Sequence, residues 1–108
     1  MSDLKVGVKY DGDKPRMDLI PPYIEEEVGK VLEFGARKYA DDNWKKLDGL
    51  EKRYIAAALR HINAIKKGEL IDPESGFRHS AHAICCLMFL GEFDLDPSLG
   101  AKEDKEKL

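Results

Sequence analysis

Histidines and carboxylates carry most of the chemistry this chain can offer. His79 and His82 stand at i, i+3 in His79-Ser80-Ala81-His82, just after the turn-forming stretch Asp72-Pro73-Glu74-Ser75-Gly76. On a helix they share one face. His61 is the only other histidine among the 3 present. With Glu27, Asp72 and Glu74 they make a nitrogen and oxygen set suited to a divalent ion. Imidazole ligation favours Mn, Fe, Co, Ni or Zn, whereas Mg would sit on Glu27, Asp72 and Glu74. His-x-x-His also arises by chance, so the pattern alone does not decide. Without an ion, the same residues become acid–base and phosphate-binding groups, with Lys14, Arg16, Lys38 and Arg60 supplying positive charge. Either version suits an anionic, phosphate-bearing ligand.

Several classes are disfavoured. No Gly-rich phosphate loop of the G-x-x-x-x-G-K-[ST] or G-x-G-x-x-G kind occurs. A net charge of −3 argues against wrapping a nucleic-acid polymer. No apolar run reaches the roughly 18–20 residues needed to span a bilayer, and the first residues do not resemble a signal peptide. Cys85 and Cys86 are neighbours pointing about 100° apart on a predicted helix, so they read as reduced core thiols rather than a disulfide or a nucleophile. The cytoplasm is the expected compartment.

The elements that must position these groups are helical. The chain is short enough for one domain, at 108 residues. Residues 1–22, rich in Gly and Pro, read as an extended arm on which Lys14, Arg16 and Asp18 alternate with Pro15, Met17 and Leu19. A helical domain follows over 23–94, then a mixed-charge tail over 95–108. The first helix starts near Pro22 or Tyr23 and runs to about Ala40, with Ile24, Val28, Val31, Leu32, Gly35 and Tyr39 on its apolar face. Glu27 and Lys38 fall inside that apolar arc, where a charge is costly unless paired, bound or snorkelling at the edge. Asp41 to Gly49 is a loop whose Trp44 either packs as a lid or offers a flat surface to a nucleobase.

The second helix spans roughly Leu50 to Lys67, ended by Gly68. Leu50, Tyr54, Ala57, Ala58, Ile62 and Ile65 form its inner face, with His61 in the middle. A lone inward histidine is usually a satisfied core residue. Here the short connection makes helices two and three antiparallel, which brings all three histidines to one region. Ser75 is placed to cap the third helix. That helix is apolar on both sides, so it is expected at the centre and buried on both.

Taken in order, the segments Lys14-Pro15-Arg16-Met17-Asp18-Leu19-Ile20-Pro21, Phe34-Gly35-Ala36-Arg37-Lys38-Tyr39, Asn43-Trp44, Ala58-Leu59-Arg60-His61 and Asp72-Pro73-Glu74-Ser75-Gly76 through His79-Ser80-Ala81-His82-Ala83 resemble the phage-type N-terminal dATP/dGTP diphosphohydrolase domain. The resemblance covers about residues 9 to 93. It implies cleavage of a purine (deoxy)nucleoside triphosphate to monophosphate and pyrophosphate. More distantly, the helix order is similar to the all-α pyrophosphohydrolases of the MazG type, which hold Mg with Glu-Glu-x-x-Glu and Glu-x-x-Asp. The chain departs from the first of these motifs, with Lys30 at the third acid of Glu26-Glu27-Val28-Gly29-Lys30. Glu69-Leu70-Ile71-Asp72 matches the second only in a loop.

The expectation is therefore an all-α protein with three main helices and an extended arm, its four-helix-bundle packing completed by forming a homodimer or tetramer. Its expected activity is metal-assisted hydrolysis of a nucleoside triphosphate, with Mg or Mn, and Zn or Fe as other ions. Glu27, Lys38, Arg60 and His61 are the expected catalytic residues. Lys14, Arg16, Asp18, Asn43 and Trp44 are expected on the substrate, and Asp72, Glu74, His79 and His82 on the metal. The rivals are a non-catalytic nucleotide- or metal-binding helical oligomer, an interaction protein with core histidines, and an HD-like phosphohydrolase, the last weakened because no His-Asp dipeptide occurs.

Overall fold

The computed structural model describes residues 7–99. Within them the fold is three α-helices, α1 (Pro22–Lys38), α2 (Leu50–Lys66) and α3 (His79–Leu95), with short 3-10 turns at Met17–Leu19 and Asn43–Lys46. The all-α expectation is met. Proline at the first turn of α1 loses no hydrogen bond, and Arg37 and Lys38 in its last turn complement the helix dipole. The arm is less extended than expected. It turns at Lys14, whose N–H donates to the Asp11 carbonyl, before its 3-10 turn. The expected charged tail over 95–108 falls mostly outside the described residues.

Packing centres on α3, which lies against both α1 and α2. Val28 and Val31 of α1 form the main buried cluster with Ala81 and Cys85 of α3, bordered by Ile24, Phe77, Ile84 and Phe89. Leu50 and Ala58 are the buried residues of α2. Both cysteines are free and buried, and burial pushes the Cys85 thiol up to about 12 and the Cys86 thiol to about 11. They are inert core groups.

Two expected apolar faces are only partly buried. Leu32 and Tyr39 are exposed because they stand on the wall of an open cleft between α1 and α2, floored by α3. Ile62 is exposed as well. Successive i+4 steps drift about 40° around a helix of 3.6 residues per turn, so Ile62 has rotated off the line through Leu50, Tyr54 and Ala58, while His61 stays on it. The third helix is buried on both sides only along its first half. Beyond Cys86, Leu87 is 55% and Met88 49% exposed. Pairing of chains into four-helix bundles would have to cover these residues and the exposed Ile55 and Leu59 of α2.

The α2–α3 connection is tied by a run of backbone hydrogen bonds. Gly68 takes φ +93, its N–H donates to the Ile65 carbonyl, and the Glu69 N–H donates to the Ala64 carbonyl. This is a Schellman closure, which satisfies the last carbonyls of α2 and reverses the chain. An antiparallel bridge joins Ile71 to Arg78, the Asp72 N–H donates to the Phe77 carbonyl, and the His79 N–H donates to the Leu70 carbonyl. Gly76 closes the turn at φ +80, donating to the Asp72 carbonyl.

A side chain at Gly76 would meet no neighbour but would be strained by the backbone alone. Gly76→Ala should therefore lower stability by about 1–2 kcal/mol. Gly91→Ala, inside α3 and equally uncrowded, should raise it by roughly 0.5–1 kcal/mol. Urea midpoints of the two variants check the opposite signs.

Candidate functional site

Local structure explains how the site is assembled. α2 presents His61 on its inner line, and the Schellman turn carries the chain straight into Glu69. The bridged turn then sets Asp72 and Ser75 over the start of α3, where His79 and His82 share one face. Asp72 orders the turn itself, its Oδ1 accepting the Glu74 N–H at 2.9 Å. The fold thus brings His61, Asp72, His79 and His82 together, as the antiparallel arrangement predicts.

His79 is 5% exposed and uses both ring nitrogens. Its Nε2 lies 2.8 Å from Glu69 Oε1, and its Nδ1 lies 2.9 Å from His61 Nδ1. His82 Nε2 is 2.6 Å from Ser75 Oγ and 3.5 Å from Asp72 Oδ2. The His61 and His82 rings stack at 4.7 Å with 12° between planes. Ser75 does not cap α3, since Arg78 occupies the N-cap without a side-chain bond. Its hydroxyl oxygen accepts the Phe77 N–H and meets His82 instead, because the bridged turn puts it beside the second histidine rather than before the first.

One ligand atom each from His61, Asp72 and His82 lies within 4.8 Å of the other two. Metal–ligand bonds of about 2.0–2.2 Å separate opposed ligands by up to roughly 4.4 Å, so a small inward movement would suit an ion. The donor set fits a divalent cation chemically as well. Burial pushes the His61 imidazole below its usual value, with His82 and His79 acting the same way against Asp72. Burial also lowers His82, opposed first by Asp72. Both rings are thereby held neutral, the form that binds metal, beside a carboxylate only 13% exposed.

The other predicted site residues take different places. Glu27 Oε2 accepts the Arg78 N–H at 3.1 Å, so it ties α1 to the start of α3 where the helix dipole favours a negative charge. Lys38 Nζ and Glu74 Oε2 are 2.8 Å apart at the exposed rim, and the hydrogen bond to Glu74 raises the Lys38 ammonium above its usual value. Arg60 and His61 line the cleft between α1 and α2, as do Lys38, Asn43 and Trp44. Trp44 stacks on Phe89 at 4.7 Å, so one of its faces is already covered. Arg16 and Asp18 pair with each other through two 2.7 Å bonds on the exposed arm. Neither they nor Lys14 line the cleft.

Sequence reasoning missed Glu69 and Ser75 as partners of the histidines. The signal for Glu69 was its position directly after a helix-ending glycine, where the closure fixes its backbone. Nothing in the sequence spacing marks Ser75 as a histidine partner rather than a cap. The cleft measures about 1180 Å³ and combines an aromatic wall of Trp44, Tyr54 and Phe89 with the cations Arg60 and Lys38. An apolar recess with a few convergent polar groups is the usual shape of a small-molecule site.

Comparison with known proteins places the chain in context. The family described as "dATP/dGTP diphosphohydrolase, N-terminal" matches residues 5–104. A protein of Salmonella phage PMBT28 named dATP/dGTP diphosphohydrolase is 40% identical over 85 residues. That alignment covers 78% of this chain and 28% of the phage protein, so the chain spans well under half the length of this relative. No solved structure matches the chain.

The lowered histidine values give a stability prediction for metal-free protein. Unfolded, each ring titrates near its ordinary value of about 6.5. Folded, it resists protonation, so the stability it contributes is complete above about pH 6.5 and is lost as pH falls towards the lowered folded values. Urea midpoints at about pH 7.5 and 5.5 should drop more for the wild type than for a His61→Gln/His82→Gln variant. Equal drops would contradict the lowered values.

Proposed function

The chain belongs to the dATP/dGTP diphosphohydrolase N-terminal family, and from that premise we propose that it binds a purine deoxynucleoside triphosphate and hydrolyses it to monophosphate and pyrophosphate. The observation that carries this reading is the convergence of His61, Asp72 and His82 beside a cleft that also holds Arg60 and Lys38. In the reaction a water oxygen bonds to the α-phosphorus while the bond to the oxygen bridging towards the β-phosphorus breaks. The electron pair leaves with pyrophosphate, and the water proton is released to solvent.

The chain's own groups have distinct tasks. Arg60 and Lys38 meet the triphosphate charge, with Lys38 exchanging its Glu74 partner for a phosphate oxygen. The aromatic wall around Trp44, Tyr54 and Phe89 accepts the base, and Asn43 offers it an amide. Glu27 acts through the backbone, holding the start of α3 so that His79 and His82 face inward. His61, Asp72 and His82 would hold a divalent ion, Mn suiting two imidazoles and one carboxylate better than Mg does, with Glu74 at the rim. When bound, such an ion lowers the pKa of a coordinated water and neutralises charge developing on the phosphate. The departure from Glu-Glu-x-x-Glu at Lys30 is consistent with a metal set built from imidazoles rather than from carboxylates alone.

A second reading is a nucleotide- or metal-binding domain whose catalytic partners lie elsewhere in a longer protein. The 28% coverage of the phage relative favours keeping it. Incubation of the chain with dATP or dGTP plus Mn or Mg, followed by product separation, tests both. The proposal expects monophosphate and pyrophosphate, with Asp72→Asn and Arg60→Ala each losing on the order of 10²–10³-fold in turnover. Tight nucleotide binding without products would favour the second reading, and neither binding nor products would sink both.

A further inference from the structure

His79 is the most buried polar residue among those described, yet it lies outside the three-residue metal group, and the phosphate chemistry has no direct use for it. Its two hydrogen bonds determine something about its neighbour. Glu69 is half exposed, and an ionised carboxylate can only accept, so the hydrogen in the 2.8 Å contact belongs to His79 Nε2. A neutral imidazole carries one ring hydrogen, which leaves Nδ1 of His79 a lone pair. The facing atom 2.9 Å away is His61 Nδ1, and two lone pairs would repel at that distance. The hydrogen between the rings must therefore sit on His61 Nδ1. Nε2 is then the one nitrogen of His61 able to donate electrons.

We propose that Glu69 and His79 form a relay that locks His61 in the Nδ1–H tautomer, so that its Nε2 lone pair is permanently available to the ion shared with Asp72 and His82. His79 is then a positioning residue and not a ligand. A free imidazole divides between two tautomers, and every molecule with the hydrogen on Nε2 would be unable to bind. A carboxylate or carbonyl that orients a ligating histidine normally does so directly. Here the orienting carboxylate is one imidazole further away. The burial of His79 keeps water from competing for either of its nitrogens, and the Schellman closure at Gly68 fixes the backbone of Glu69.

The inference rests on the metal reading for its purpose but not for its first measurement. Two-bond proton–nitrogen correlation spectra of metal-free protein in chelator, recorded above neutral pH, report which nitrogen of each ring carries hydrogen. The relay predicts hydrogen on Nδ1 of His61 and on Nε2 of His79. Hydrogen on Nε2 of His61 would overturn it. The variants Glu69→Ala and His79→Leu, which remove the acceptor, should let His61 revert to a mixture and weaken Mn(II) binding about 10–100-fold by calorimetry. His79→Asn retains an acceptor oxygen and should restore most of both, and Glu69→Gln should do the same for the first position. Glu69→Ala serves if His79→Leu fails to fold. Unchanged His61 spectra and Mn(II) affinity in Glu69→Ala would also overturn the relay. The predicted tautomers with no Mn(II) binding to the wild type would uphold the lock and remove the metal reading instead.

Discussion

The reversal of the chain at Gly68 is the constraint on which the remaining geometry depends. A helix end leaves carbonyls without partners, and a residue at positive φ lets its own N–H and the following one satisfy them. At Gly68 that local need returns the chain antiparallel to α2, so that residues near the end of α2 and the beginning of α3 become neighbours. The bridge between Ile71 and Arg78 then narrows the return. Glu69, Asp72 and Ser75 are carried to the histidines by backbone hydrogen bonding before any side chain makes a choice.

Bringing three imidazoles together within a small core has an electrostatic consequence. Each ring is partly or fully removed from water, and each would repel the others if protonated. The arrangement tolerates this because every ring has a polar partner: Glu69 for His79, Ser75 and Asp72 for His82, and His79 for His61. No buried side-chain nitrogen or oxygen among the described residues lacks a hydrogen bond. The lone pairs of His61 and His82 beside the Asp72 carboxylate are favourable for a divalent cation, and the burial that lowers both imidazoles opposes a positive charge on either ring.

Much of this was legible in residue order. The helix limits followed from Pro22, Gly68 and the apolar spacing, and the meeting of His61 with His79 and His82 followed from a short link between two helices. Glu27 stood out as a charge inside an apolar arc, and the structure gives it the Arg78 N–H as a partner. What could not be read were choices between partners of similar reach. Glu74 and Asp72 are near neighbours in one turn, yet one reaches Lys38 and the other lies beside His82, because the turn points their side chains apart. The periodicity of α1 marked Leu32 and Tyr39 as core, although they line an open cleft, since a helix wheel does not distinguish a packed face from a binding wall.

The central claim is that His61, Asp72 and His82 form one cation site at the edge of the cleft. Anomalous diffraction from crystals of the chain grown with Mn(II) tests it most directly. The account predicts a peak bonded to all three side chains, with His79 outside bonding distance. A peak on other residues, or density showing the three side chains free of metal at saturating Mn(II), would contradict it.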